Sequence, residues 1–215
     1  MSSLRWPVVL FDLDGTLVDT IGLIITSLQH TWRTELDEEL DADLARTWIG
    51  RTLPDMFAAY GADKAEQMRH TYVEFNIEQL PRLQRCVDGM VELVDDLRSA
   101  GAEVAVATSK RRPAAQLSLD VSGLTGRVML ATTLDDTVAH KPHPEPLLHA
   151  LAEIGRDASE AVYVGDAIYD VQAARAAGLD QIAVTWGAGL ASALEAEQPT
   201  ATARTVEELR TLLIG

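Results

Sequence analysis

The sequence is poor in cysteine and in basic residues. Its single cysteine, Cys86, has no disulfide partner within the chain, which is compatible with a reducing compartment, and we expect it to be a small buried hydrophobic residue. Lysine and arginine number 18 against 33 acidic residues, so the formal net charge is −15. No basic cluster exceeds the short run "KRR" at 110–112. Because nucleic acids and anionic membranes are bound through clustered basic side chains, we expect neither as a partner.

Long hydrophobic runs are also missing. No stretch reaches the roughly 18 apolar residues that a membrane-spanning helix needs. The opening "MSSLRWPVVLF" has one arginine and a short apolar run that leads straight into acidic residues, unlike a secretory signal. With 215 residues, of which 47% are hydrophobic, the chain can bury a sizeable core. We therefore expect a globular cytoplasmic protein, and none of these features predicts its oligomeric state.

Five short apolar runs predict β-strands. They lie at 8–13, 102–109, 126–133, 160–166 and 180–186. Their composition is typical of strands that are buried on both faces of a parallel sheet. Helical patterns that end in glycine, such as "GMVELVDDLRSAG" and "PEPLLHALAEIG", lie between them. Strands that alternate with helices predict an α/β fold with a parallel sheet built from right-handed βαβ units.

The segment 21–82 contains no convincing strand. In "TIGLIITSLQHTW" the apolar residues recur at helical spacing, and "ADKAEQMRHTYVEFNIEQL" continues in the same style. A helical block between the first two strands of a sheet predicts a small inserted all-helical domain at 21–82, with 1–20 and 83–215 forming the α/β core domain. Near the C-terminus, "EAEQPTATA" at 195–203 is interpreted as a polar loop before the last helix, "TVEELRTLL".

Polar residues stand where the predicted strands end. In open parallel sheets, ligands bind outside the carboxyl ends of the strands. Taken alone, each group has a simpler interpretation. "DLDGT" is compatible with a strand-end turn, Thr108 and Ser109 are more typical of a turn or helix cap, Lys141 is more typical of a surface residue, and "GDAIYD" is compatible with a turn that leads into a helix. Their occurrence at the ends of successive strands favours a shared site, and the candidate residues in chain order are Asp12, Asp14, Thr108, Ser109, Lys141, Asp166 and Asp170.

The chemistry of these residue types is complementary. Several carboxylates in one place repel each other and are costly to desolvate unless a cation neutralises them, and oxygen ligands without histidine or cysteine suit Mg²⁺. Lys141 and Thr108 offer a positive charge and a hydroxyl donor for the oxygens of a phosphoryl group. If the strand pattern persists, Asp12 and Asp14 share a face, so that one can form an aspartyl phosphate while the other moves the proton.

The residues beside these groups receive simpler interpretations. Gly15 permits a tight turn and a close approach of the backbone to phosphate, and Thr16 is placed to lock that turn. His140 and His143 flank Lys141 and are interpreted as loop residues, because the aspartates already fill the acid and base role.

Four short motifs together resemble the haloacid dehalogenase superfamily. They are "DLDGT", "TS", the lysine before "PHPEP", and "GDAIYD", and the resemblance covers essentially the whole chain. It implies a Rossmann-like parallel sheet flanked by helices, with a helical cap inserted after the first motif. It also implies a Mg²⁺ cofactor.

The resemblance further implies a role for each motif residue. Asp12 would be the nucleophile and Asp14 the general acid and base. Thr108 and Lys141 would bind the phosphoryl group, assisted by the neighbouring Gly15 and Ser109. The metal site would consist of the Asp12 carboxylate, the Asp14 backbone carbonyl and Asp166, with Asp170 supporting it as an outer partner.

Within the superfamily, "FDLDGTLVDT", "TSK" and "KPHPEP" resemble the phosphoglycolate phosphatases and the inorganic pyrophosphatases. The first cap helix is more similar to the pyrophosphatases. The expected function is Mg²⁺-dependent hydrolysis of a small phosphorylated metabolite, with 2-phosphoglycolate as the first expectation and pyrophosphate as the second. A sugar-phosphate mutase shares the core motifs. A non-catalytic binding module would require a damaged motif, and all four are intact.

Substrate selection is expected to reside in the cap. The loop "WIGRTLPDMF" at 48–57 offers Arg51 and Thr52 as substrate-binding residues, and Arg51 is its only basic residue. We hypothesise that Arg51 contacts the leaving group of the substrate. The alternative is a surface arginine that pairs with a cap carboxylate.

Overall fold

The computed structural model describes residues 4–215, and these form eight β-strands and ten α-helices. The strands are β1 (Val8–Phe11), β2 (Val18–Asp19), β3 (Arg85–Cys86), β4 (Glu103–Ala107), β5 (Met129–Thr132), β6 (Ala161–Gly165), β7 (Asp180–Val184) and β8 (Ala201–Ala203). The helices are α1 (Ile21–Leu36), α2 (Ala42–Arg46), α3 (Leu53–Phe57), α4 (Ala62–Leu83), α5 (Met90–Ser99), α6 (Arg112–Val121), α7 (Glu145–Ile154), α8 (Ile168–Ala177), α9 (Ala191–Ala196) and α10 (Val206–Ile214).

Six of the strands form one parallel sheet in the order β5-β4-β1-β6-β7-β8. The five strands of this sheet that come first in the sequence are β1, β4, β5, β6 and β7, and each lies within one of the five predicted apolar runs. The predicted α/β class is therefore confirmed. The interpretation of 195–203 as a loop is wrong at its end, because Ala201–Ala203 forms β8 at one edge of the sheet. The central strand β1 is fully buried, which agrees with its apolar residues on both faces.

Helices cover both faces of this sheet. Val9 and Phe11 of β1 point into one hydrophobic cluster, which includes buried residues of α5, α6 and α10. Val8 and Leu10 point the opposite way, into a second cluster with α7 and α8. This alternation follows from the two-residue period of a strand. The parallel direction of the strands gathers their carboxyl ends at one edge of the sheet.

Between β1 and β4 the chain leaves the sheet and forms a helical cap, α1 to α4, with its own hydrophobic cluster around Leu28, Trp32 and Phe57. The short strands β2 and β3 pair antiparallel where the chain departs and returns. Cys86 lies in β3 and is half-buried rather than fully buried as expected. Within residues 4–215, no helix combines the length and the apolar character that crossing a membrane requires.

Candidate active site

The carboxyl ends of β1, β4 and β6 bring the predicted site residues together. β1 ends at Phe11, and Asp12 follows directly, with its backbone N–H donating to the Val164 carbonyl of β6 at 2.8 Å. Asp166 and Asp170 follow β6, and oxygen atoms of these two residues and Asp12 all lie within 4.8 Å of one another. All three carboxylates are buried. A parallel sheet thus places groups more than 150 residues apart in sequence at one point.

Lys141 lies in the centre of this carboxylate cluster. Its ammonium group donates to Asp12 Oδ1 at 2.7 Å, to Asp170 Oδ1 at 2.7 Å and to the hydroxyl of Tyr163 at 2.9 Å. The Tyr163 hydroxyl in turn donates to the Ala107 carbonyl at the end of β4, at 2.8 Å. All three protons of the ammonium therefore have protein acceptors, which fixes the lysine against the Asp12 carboxylate.

The electrostatics of the cluster call for a further positive charge. Burial raises the pKa of Asp12 to about 7; the Lys141 ammonium opposes that rise and the Asp170 carboxylate adds to it. Burial likewise raises the pKa of Asp166 well above its usual range. Burial alone would lower the pKa of Lys141, but Asp12 and Asp170 outweigh it and hold this pKa well above the usual value, so the lysine is charged. Three carboxylates and one ammonium leave two negative charges when all are ionised, and these oxygen donors are compatible with one divalent cation.

Asp166 is held by a close-fitting set of neighbours. The Ala188 backbone N–H donates to Asp166 Oδ2 at 2.7 Å, and the fully buried Thr16 hydroxyl donates to Asp166 Oδ1 at 3.3 Å. A Cβ atom at Gly15 would lie 2.4 Å from Asp166 Oδ2, and one at Gly187 would lie 2.1 Å from it. The close approach at Gly15, expected toward phosphate, is thus made to Asp166, and Thr16 reaches beyond its own turn to this carboxylate.

The Asp14 carboxylate lies outside the cluster and lines the adjoining cavity. The Thr20 hydroxyl and the Lys110 ammonium both donate to its Oδ1, at 2.7 and 2.8 Å. Since β1 ends at Phe11, strand alternation does not extend to Asp14, and its side chain has surroundings of its own. Among residues 4–215, Asp14 Oδ2 accepts no hydrogen bond, and Asp14 lines the cavity.

A cavity of about 580 Å³ opens above these residues, between the sheet edge and the cap. Thr108, Ser109 and His140 line it, together with Asp12 and Lys141. Thr108 is buried, and its hydroxyl oxygen accepts the Lys110 backbone N–H at 3.2 Å, which leaves its proton free to donate. His143 lies in the exposed part of the loop after Lys141, where its ring nitrogen accepts the Glu145 backbone N–H at 3.2 Å.

The two cap residues expected to bind substrate differ in their surroundings. Arg51 lines the cavity, and its one side-chain contact is a 3.3 Å hydrogen bond to the Asp55 carbonyl, with no carboxylate partner among residues 4–215. Thr52 is 3% exposed, and its hydroxyl caps α3 by accepting the Asp55 N–H at 3.3 Å while donating to the Asp55 carboxylate at 2.6 Å. The structure therefore gives Thr52 a helix-capping role and does not place it at the cavity wall.

Several residues of the site were missed by sequence reasoning. Tyr163 and Thr20 contact the predicted catalytic groups directly. Lys110 belongs to the quoted "TSK" motif, so its position beside the strand end was a usable signal. On α4, one helical face lines the cavity through residues spaced three and four apart, namely Arg69, Tyr72, Val73, Asn76 and Ile77.

The structure thus combines a parallel α/β sheet with a buried carboxylate cluster at the carboxyl ends of its strands. Residues 9–184 match the family described as Haloacid dehalogenase-like hydrolase, and the chain belongs to that family. The resemblance seen in the four motifs is thereby confirmed.

Individual relatives are phosphatases or hydrolases by name. Pyrophosphatase PpaX of Bacillus velezensis is 35% identical over 199 residues, which are 93% of this chain and 92% of that protein. Pyrophosphatase PpaX of Bacillus pumilus is 36% identical over 178 residues, 83% of this chain and 82% of that protein. A hydrolase from Pseudomonas syringae has a similar structure, with a TM-score of 0.86 at 24% identity, covering 95% of this chain and 96% of that chain. A protein described as a predicted phosphoglycolate phosphatase from Haemophilus somnus has a TM-score of 0.84 at 22% identity, covering 96% and 98% of the two chains.

Proposed function

We propose that the protein is a Mg²⁺-dependent phosphohydrolase that cleaves a small-molecule phosphate monoester through an aspartyl-phosphate intermediate. The observation that carries this proposal is the buried Asp12 carboxylate at the floor of the cavity. One of its oxygens is fixed by Lys141 at 2.7 Å, and no hydrogen bond engages the other among residues 4–215. A carboxylate held in this way is oriented for attack on a phosphorus atom above it.

In the proposed reaction, Asp12 forms a bond to phosphorus as the bond from phosphorus to the leaving oxygen breaks. Asp14 donates its proton to that oxygen. Asp14 then removes a proton from water, whose oxygen attacks the same phosphorus and releases phosphate and the Asp12 carboxylate. The Thr108 hydroxyl and the charge of Lys141 stabilise the transferring group.

Asp12 and Asp166 are the side chains proposed to hold Mg²⁺, and Asp170 supports them because both of its oxygens already accept protein N–H groups. The ion supplies positive charge that offsets the phosphoryl oxygens and the buried carboxylates. Without it, the raised pKa of Asp12 leaves a large fraction of the nucleophile protonated near neutral pH.

Pyrophosphate is a second candidate substrate. It is favoured by the relatives named pyrophosphatase PpaX, at 35 to 36% identity over most of the chain. The first sequence-based expectation, 2-phosphoglycolate, stays a prediction, since the neighbour named for it has 22% identity and supports the fold alone.

The test measures phosphate release from a panel of monoesters and pyrophosphate, with Mg²⁺ and with a chelator. We expect Asp12→Asn to abolish turnover while its circular dichroism and melting remain those of a folded chain. The exposed cap residue Asp43 provides a matched control, and Asp43→Asn should retain wild-type rates. Wild-type turnover in Asp12→Asn would refute the nucleophile, and isomerised sugar phosphate in place of free phosphate would identify a mutase.

A further inference from the structure

The cavity above Asp12 is much larger than the substrates suggested by the sequence. Pyrophosphate and 2-phosphoglycolate each contain only a handful of non-hydrogen atoms. Even at the loose share of about 30 Å³ per atom that water occupies, either one fills roughly 270 Å³. The cavity holds about 580 Å³, so more than half of it would remain for water.

The wall of this extra space is mainly apolar. It is formed by the cap loop and helices and by two residues of α6, Pro113 and Ala114. The cap residues include Ile49, Leu53, Met56, Val73 and Ile77. A second phosphoryl group placed against these apolar residues would lose hydration without gaining hydrogen bonds from them. An apolar group would gain from the same contact.

Polar side chains of the cap are already partnered. Asn76 Nδ2 donates to Ser27 Oγ at 3.1 Å and to the Tyr72 hydroxyl at 3.4 Å. These contacts hold Tyr72 and Asn76 within the cap while their side chains still line the cavity. The polar part of the α4 face thus does not require a highly charged occupant.

Cations beyond Lys141 also line the cavity, but most are paired with acids. Lys110 contacts Asp14 at 2.8 Å. Arg111 contacts Asp135 at 2.8 Å. Arg69 Nε donates to the Glu66 carboxylate at 2.8 Å. Within residues 4–215, only Arg51 among these lining cations lacks a carboxylate partner, so it is the one cation that a second phosphoryl group could contact without competing with a carboxylate.

We infer that the substrate is a phosphate monoester with an apolar leaving group, an alkyl or aryl chain of up to about fourteen non-hydrogen atoms at the same packing. The phosphoryl group lies at Asp12, and the apolar chain lies against the α3 and α4 face. This inference rests on the proposed function and narrows its substrate class.

The experiment compares kcat/KM for methyl, butyl and hexyl phosphate with those for pyrophosphate and 2-phosphoglycolate, all with Mg²⁺. The leaving oxygens of butyl and hexyl phosphate have nearly the same reactivity, so a difference in kcat/KM between these two substrates reports binding of the alkyl group. We expect kcat/KM to rise by about two- to fourfold per buried methylene along the alkyl series, and KM for hexyl phosphate to lie below KM for both anionic substrates. Equal kcat/KM values for methyl and hexyl phosphate, or a lower KM for pyrophosphate than for hexyl phosphate, would overturn the inference while leaving the phosphohydrolase proposal intact. If none of these five compounds is hydrolysed, or if Asp12→Asn hydrolyses them as fast as the wild type, the proposed function fails, and the inference fails with it.

Variants of the apolar wall test where the alkyl group of the substrate binds. Val73→Thr keeps the side-chain shape and adds a hydroxyl, and we expect it to lower the hexyl-to-methyl ratio of kcat/KM by at least about fivefold. Leu44 is an exposed apolar residue of the cap that does not line the cavity, so Leu44→Ser should leave the ratio unchanged. An unchanged ratio in Val73→Thr, in a protein that melts normally, would contradict the assigned wall.

Discussion

Replacing Gly187 by alanine is expected to disable the site through one contact. The new Cβ would lie 2.1 Å from Asp166 Oδ2 and 2.4 Å from Asp166 Cβ. Ordinary contact begins near 3.4 Å, so the first pair must separate by about 1.3 Å, the difference between these distances. Gly187 has no positive φ, which means that the contact and not backbone strain is being tested.

Two effects should follow from this displacement. Moving a positioned group by about 1 Å costs on the order of a hundredfold in rate, so we expect kcat/KM to fall by about that factor. The Asp166 bond from Ala188 N–H, at 2.7 Å, also weakens, and hydrogen bonds to charged groups contribute about 1.5–3 kcal/mol to stability. The Mg²⁺ concentration for half-maximal activity should rise, because Asp166 is a proposed ligand.

The assay is a Mg²⁺ titration of steady-state rates together with a thermal melt of each variant. Gly22→Ala is the matched control, because nothing lies within 4 Å of a Cβ at that position of α1. It should keep wild-type rates and gain up to about 1 kcal/mol of stability. If Gly187→Ala kept both wild-type kcat/KM and wild-type Mg²⁺ dependence, the positioning of Asp166 would not depend on this contact.

Two further predictions concern charge. The folded pKa of Asp12, about 7, lies above the ordinary value of 3.8, so the folded chain binds the proton more tightly than the unfolded chain does. The free energy of unfolding of the metal-free protein should therefore fall between pH 5 and pH 8, and added Mg²⁺ should stabilise the protein more at pH 8 than at pH 5. Denaturant titrations with and without a chelator measure both effects. A metal-free protein that is more stable at pH 8 than at pH 5 would contradict the prediction. Arg51→Ala should raise KM by about tenfold for substrates with an anionic leaving group, such as pyrophosphate and 2-phosphoglycolate, and much less for alkyl phosphates. Arg82→Ala on the exposed end of α4 should change neither KM nor kcat. An unchanged KM for both anionic substrates would end the Arg51 hypothesis.

The core of the site was predictable because its residues follow buried strands. Strand composition located β1, β4 and β6, and parallel topology then required Asp12, Thr108 and Asp166 to meet at one edge. Tyr163 could not be found in this way. It lies inside the apolar run of β6, where an aromatic residue is typical of a core, and the two shortest hydrogen bonds of its hydroxyl group join it to Lys141 and Ala107, which are 22 and 56 residues away in sequence.

The edge strand β8 was missed for a local reason. Its residues, Ala201–Ala203, form a three-residue strand with little β-propensity, in a polar stretch. The cavity face of α4 was hidden for a different reason. The spacing from Arg69 to Ile77 predicts a helix with one distinct face, but it does not tell whether that face meets another helix or an open cavity.

From the sequence we predicted the cap and the core as two domains, but in the structure residues of the cap contact the core segments around Asp166. Arg46 of α2 donates to the Gly187 carbonyl at 2.9 Å, and Ala188 belongs to the hydrophobic cluster of the cap. The Ala188 N–H is at the same time the donor that holds Asp166. A Cβ at Gly50 of the cap would lie only 3.0 Å from Ala167, the residue after Asp166. The cap therefore contacts the backbone segments that position this carboxylate, so its placement bears on the geometry at Asp166 as well as on the leaving group that we expect the cap to select.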